Sequence, residues 1–324
     1  MYKIRKWGKK MMDILLSPLT YIAAQWNKFI IIKGITFFPI SEFIFMKVGV
    51  LPLIDHYYYP MINPKKYLKK SLREDRELPG IDLNVAAQLE LLGHFNYNLE
   101  LQAFPFIGQP NIKDKYYYDN GMFGPGDAEI LFSMIRHFKP RTIIEVGSGY
   151  STLMSLNAIT ANKNENAAYQ CNLTCIEPYE IPWLENLDIN LERTLVERIE
   201  PSFFEVLQEN DILFIDSSHV IRPQGDVIFE FVQLLPRLKK GVIVHVHDIF
   251  TPKDYPDHWV LESHTMWNEQ YLMEAFLNCN DYFEILCALN YLFYNHQDAF
   301  LLKCGVLKDH PQLEPRSFWF KKIK

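Results

Sequence analysis

The chain has 324 residues, 48% hydrophobic and 22% charged, enough for one large globular domain with additions or for two. A formal net charge of −6 gives no global basic footprint for a nucleic-acid backbone, so nucleic acid is not an expected partner. The five cysteines (Cys171, Cys175, Cys279, Cys287, Cys304) contain no Cys-x-x-Cys pair and read as reduced thiols of a cytoplasmic protein, not as a zinc site or disulfide framework.

In chain order, residues 1–77 read as a mainly helical, aromatic-rich extension, with breaks expected at Pro18, Pro39 and Pro52. Lys3, Arg5, Lys6, Lys9 and Lys10 precede an uncharged run from Ile14 to Asn27, which falls short of the roughly 20 residues a bilayer span requires. A helical cap on the main domain is the favoured reading; peripheral contact with the inner face of a membrane is the second. Residues 65–77 form a charged helix or linker, and Asp82 is placed to cap an amphipathic helix over 85–95.

The main domain, 78–324, then shows a glycine-rich loop at 120–127, read either as a simple turn or as a lip over a cofactor. Asp127 is expected to cap the helix that follows, and Pro140 to stop it. The decisive stretch is 141–152: a β-branched strand, Gly147 and Gly149, then helical character again. Strand, glycine turn and helix is how an open α/β sheet builds a nucleotide pocket. A second strand, 172–176, ends in Glu177, whose carboxylate suits ribose hydroxyls. A third strand is expected at 193–199 and a short helix at 203–208. A strand at 211–215 ends in Asp216, followed by Ser217, Ser218 and His219. Asp226 is the expected N-cap of a helix to 238, and a strand from 241 ends in His247 and Asp248. Two successive strands thus deliver acids to the ligand edge of a parallel sheet. A helix over 263–279, a strand at 283–289, a helix at 290–304 and a strand at 317–323 complete the chain.

Glu145-x-Gly147-x-Gly149, Ile215-Asp216-x-x-His219 and His247-Asp248, in this order within 78–323, resemble class I S-adenosylmethionine (SAM)-dependent methyltransferases, in the branch with metal-dependent small-molecule and sugar O-methyltransferases. The resemblance implies an α/β, Rossmann-like doubly wound sheet, mostly parallel, with one antiparallel C-terminal strand. It implies SAM as cofactor, held by Glu145, Gly147, Ser148, Gly149, Ser151, Glu177 and Asp216. It further implies a divalent metal, Mg²⁺ or Mn²⁺, at Asp216 and Asp248, and a small-molecule or glycan hydroxyl as methyl acceptor. In catechol-type relatives a lysine three residues after the first metal acid is the general base; the macrolide-sugar relatives have histidine there, and here it is His219. The third metal position departs from the pattern. Neither Ile249 nor His247 is the expected oxygen ligand; His247 is taken as the third metal residue beside Asp216 and Asp248, where it would suit a softer ion than Mg²⁺. His245, one strand period from His247, reads as structural. A homo-oligomer is compatible with the sequence. The alternatives are a metal-dependent hydroxylase on the same fold, an inactive SAM-fold scaffold and, least favoured because the third glycine of the dinucleotide fingerprint is missing, an NAD oxidoreductase.

Overall fold

A computed structural model of the chain describes residues 2–109, 112 and 114–324, with residues 2–6 described by backbone alone. Its centre is a seven-stranded sheet of β1 (Thr142–Val146), β2 (Asn172–Ile176), β3 (Asn190–Glu192), β4 (Ile212–Ile215), β5 (Ile243–Val246), β6 (Phe283–Ala288) and β7 (Phe318–Lys322). The order is β3-β2-β1-β4-β5-β7-β6. Strands β1 to β5 are mutually parallel, and β7 runs antiparallel to both β5 and β6. This is the expected sheet, with its single reversed C-terminal strand.

Side-chain alternation divides the core between the two faces. Ile143, Ile212 and Phe214 face one layer, which includes helices Asp127–Phe138 and Tyr150–Glu165. Ile144, Val146, Leu213 and Ile215 face the other. His245 belongs to this packing: it is fully buried, its ring 3.9 Å from that of Phe214, and burial holds its pKa well below the usual imidazole value. Strand order reverses between β1 and β4, so a crevice opens beyond their C-terminal ends.

Several expected elements are displaced. The third strand is Asn190–Glu192, not 193–199; Arg193 instead turns its guanidinium back to the carbonyls of Glu177 and Tyr179, and Val196–Arg198 is a single tight turn. The helix expected from 263 begins only at Glu269, because His264 takes a left-handed backbone (φ 56°) and the Asn268 and Glu269 amides donate to the His219 carbonyl. Residues 290–304 divide into Leu289–Asn295 and Gln297–Lys303 at the non-helical His296. Asp127 is the first helical residue, not the cap: Glu129 accepts the Gly126 amide, and Asp127 Oδ1 accepts the Arg316 amide at 2.8 Å.

By contacts the chain separates into two compact units, Met1–Lys70 and Ser71–Lys324. Residues 71–77, read from sequence with the extension, go with the second unit because Arg76 pairs with Glu274 and Arg73 with Glu314. The first unit is built on α1 (Tyr2–Lys33) and α2 (Pro39–Val48). Pro39 opens α2, as expected, but Pro18 does not end α1. Lacking an amide hydrogen, Pro18 leaves the Ile14 carbonyl without its helical donor, and the Ser17 hydroxyl takes that place at 2.9 Å. Among the described residues, no helix is long and apolar enough to cross a membrane.

Candidate active site

The crevice beyond β1 and β4 holds a cavity of about 680 Å³. Its floor is the glycine turn. Gly147 sits at φ 76°, and a Cβ there would lie 2.0 Å from the Asp216 carbonyl oxygen, so only glycine lets the β1 and β4 ends meet. Gly149 differs: its backbone is extended (φ 178°) and a Cβ would meet no protein atom within 4 Å. The Ser148 amide donates to Glu177 Oε2 at 3.1 Å and the Tyr179 amide to Oε1 at 2.8 Å, which fixes the Glu177 carboxylate at the end of β2. Each oxygen keeps a lone pair for a ligand.

Gly147, Ser148, Gly149, Ser151, Glu177 and Asp216 all line this cavity, as sequence reasoning placed them. Glu145 is not among the lining residues. It is fully buried, its Oε1 accepts the Ser151 hydroxyl at 2.5 Å, and burial lifts its pKa to about 8. Its observed contacts brace the start of helix Tyr150–Glu165. The glycine-rich loop contributes Gly121, Met122 and Phe123 to the same cavity wall, in keeping with the lip reading; Asn120 pins the loop by accepting the Met122 and Phe123 amides.

At the far side of the cavity stand Asp216, His219 and Asp248, one ligand atom from each lying within 4.8 Å of the others. His219 Nε2 is 3.3 Å from Asp216 Oδ1 and 3.4 Å from Asp248 Oδ2, while Nδ1 meets Glu269 Oε2 at 2.7 Å. Both His219 and Asp248 adopt left-handed backbones, at φ 60° and 56°. Such strain costs on the order of 1–3 kcal/mol per residue and persists where surrounding structure enforces it. Here the enforcement is visible. The Ser218 amide and hydroxyl donate to Asp226, the His219 carbonyl accepts the Asn268 and Glu269 amides, and the Ile249 amide donates to the Arg316 carbonyl. Asp226, expected as an N-cap, thus serves the loop that carries His219.

The electrostatics are those of a compensated cluster. Burial disfavours a charged imidazole at His219, but hydrogen bonds to Asp216 and Glu269 and the charges of Glu269 and Asp248 outweigh it and hold its pKa well above the usual value. Burial raises the Glu269 carboxyl as well. The charges of Asp216 and Asp248 act on Glu269 too, and both favour its protonated form. Burial also opposes ionisation of Asp216, yet His247 and His219 keep that carboxyl well below its ordinary range. His247 lies behind, with Nδ1 3.4 Å from Asp216 Oδ1 and Nε2 3.7 Å from Asp127 Oδ2. Burial works against its cation, but Asp248, Asp216 and Asp127 prevail and lift its pKa to about 10. Arg316 Nε approaches Asp248 Oδ1 to 2.9 Å.

Comparison with known proteins agrees with this geometry. A family model described as a methyltransferase domain matches residues 144–249, from β1 to just past Asp248. An uncharacterised protein of Archaeoglobus fulgidus is 31% identical over 191 residues, 56% of this chain and 84% of that one. The chain belongs to the class I SAM-dependent methyltransferases. Solved structures similar to this methyltransferase include an O-methyltransferase from Bacillus cereus in complex with S-adenosylhomocysteine (SAH), at 12% identity and TM-score 0.36, covering 81% of this chain and 94% of that one. A plantazolicin methyltransferase in complex with a pentazolic desmethylPZN analogue and SAH aligns at 14% identity and TM-score 0.37, covering 61% of this chain and 83% of that one. Likeness at this distance does not bear on the chemistry.

The sequence reading places Glu269 within the helix expected over 263–279, takes Asp127 as a helix cap and gives Arg316 no role, so all three come to the site only with the structure. Glu269 meets His219 across 50 residues, a separation for which no spacing rule exists. Its contact sets a pH dependence for the methyltransferase. If His219 acts as a base it must lose its proton, so kcat/KM rises with pH through the raised His219 pKa, and the acid limb lies above about 6.5, the unperturbed imidazole value. Glu269→Gln removes one anion that stabilises the imidazolium, so this limb is expected to move to lower pH. An unmoved limb would show that Glu269 does not tune the titrating group.

Proposed function

We propose that this methyltransferase transfers the SAM methyl group to a hydroxyl oxygen of a small molecule or glycan, with His219 as general base. The observation that carries the proposal is the placing of His219 Nε2 between Asp216 and Asp248 at the cofactor cavity, with Nδ1 backed by the buried Glu269. Methyl transfer is an in-line displacement at a sulfonium carbon: an oxygen–carbon bond forms, the carbon–sulfur bond breaks, and the acceptor proton must leave. A hydroxyl is a weak nucleophile near neutral pH, so a positioned base contributes typically 10²–10⁴-fold. Gly147 to Gly149 and Glu177 hold the donor, and Asp216 faces both donor and base.

A second cavity of about 470 Å³ shares Gly121, Trp259 and Arg316 with the first and adds Arg73, Phe250 and Glu314. Aromatic faces beside charged hydrogen-bonding groups suit a polyhydroxylated acceptor. The experiment is a SAH-release screen over hydroxylated small molecules and glycans, with mass and NMR identification of the product. Methylation at nitrogen or carbon instead of oxygen would overturn the reading.

The donor set is also compatible with the divalent ion that the resemblance implies. Asp216 and Asp248 would hold it with carboxylate oxygens, and the nearby imidazoles favour Mn²⁺ or another softer ion over Mg²⁺. When bound, such an ion supplies Lewis acidity to the acceptor oxygen and offsets the negative charge that retains the His219 proton. The distances favour a second arrangement as well, in which His219 Nε2 is the third ligand. Calorimetric titration separates these. SAH is expected to bind without added metal, and Mn²⁺ to bind the wild type but not Asp216→Asn. Retained Mn²⁺ affinity in His219→Ala assigns His219 to the base; its loss assigns it to the metal. No heat from Mn²⁺ with the wild type removes the ion from the proposal.

A further inference from the structure

The first unit, residues 1–70, carries twelve lysines and arginines against three acids, a net charge of +9, whereas the remaining 254 residues carry −15. The molecule is therefore strongly polar in charge, a property its total of −6 conceals. The arrangement of α1 adds to this. At helical spacing, Lys9, Lys10, Asp13, Ser17, Thr20, Asn27 and Lys28 fall along one side, and Trp7, Met11, Leu15, Leu19, Ile22 and Trp26 along the opposite side. Those six apolar residues are between 43% and 72% exposed. Helix α2 leaves Ile40, Phe43 and Ile44 exposed as well.

A 32-residue helix is about 48 Å long at roughly 1.5 Å per residue. An apolar stripe of that length exceeds the patches that monomeric proteins ordinarily leave in water. Tryptophans near both ends, lysines along the polar side, and too little apolar length to span a bilayer match a helix that lies in the membrane interface.

We propose that residues 1–48 bind the surface of a bilayer that carries anionic head groups. The apolar side of α1 enters the boundary between head groups and acyl chains, and its lysines pair with lipid phosphates. Charge together with the exposed stripe argues for the occupant: a +9 segment with an apolar helix side beside its lysines is complementary to an anionic head-group layer over acyl chains, whereas two copies meeting stripe to stripe would bring like charges together.

The test is flotation of the 324-residue protein with vesicles of phosphatidylcholine alone and of phosphatidylcholine mixed with phosphatidylglycerol, which carries an anionic head group. The protein is expected to float with the anionic vesicles at least about tenfold more than with the neutral ones, and to lose much of that binding in high salt. Leu15→Glu combined with Ile22→Glu is expected to abolish flotation, and Lys9→Glu combined with Lys10→Glu to remove the preference for anionic vesicles. SAH binding, a property of the other unit, verifies that each variant is folded. Equal flotation with both vesicle types overturns the anionic assignment. No flotation, together with a dimer by light scattering that Leu15→Glu with Ile22→Glu dissociates, overturns the lipid assignment and makes the stripe a contact between two copies of this chain.

Discussion

His219→Ala is expected to lower kcat by roughly 10²–10⁴-fold while SAH still binds. The substitution removes the group whose Nε2 lies between the two acids, and it touches none of the backbone that forms the glycine turn. It also leaves the buried Glu269 carboxylate without its partner, which costs about 1–3 kcal/mol of stability. His219→Gln can keep a hydrogen bond to Glu269 and so separates the two effects: a loss of turnover shared by both variants is chemical, not structural. Wild-type turnover in both would remove His219 from the mechanism.

The second large effect divides the glycine pair. Gly147→Ala places a Cβ against the Asp216 carbonyl and forces a side chain into the left-handed region. Strain of roughly 1–3 kcal/mol and overpacking of similar size together approach the lower range of whole-domain stability, about 5 kcal/mol. Thermal unfolding should show a drop on the order of 10 °C or failure to fold. Gly149→Ala should unfold at the wild-type temperature, since its backbone is extended and a Cβ meets no protein atom, but should bind SAH less tightly because the residue lines the cavity. Equal melting temperatures for the two variants, or undiminished SAH affinity in Gly149→Ala, would contradict this division of roles.

The sheet was legible because its strands are short apolar runs punctuated by glycine, proline and acids. β1 and β2 fall where their β-branched residues and bounding turns predict. The acids at the C-terminal ends of β2, β4 and β5 were legible for the same reason, since a parallel sheet sends those ends to one edge. What failed was local pattern without tertiary information. Pro18 looks like a break until the Ser17 hydroxyl replaces the missing donor. Residues 193–199 look like a strand until Arg193 is seen turned back to backbone carbonyls of the segment after β2. Glu269 and Arg316 are ordinary surface types in sequence and become site residues only because a helix start and the approach to β7 converge on His219 and Asp248.

The Arg316 contacts have a further consequence for assembly of the fold. Arg316 joins Asp127 through its amide, Ile249 through its carbonyl and Asp248 through its side chain, tying together segments separated by up to 189 positions. Bringing positions 127 and 316 together costs loop-closure entropy, which grows with the length of chain between them. That cost falls on the Asp248 side of the cavity and not on the turn from β1 into the helix Tyr150–Glu165, which is contiguous in sequence.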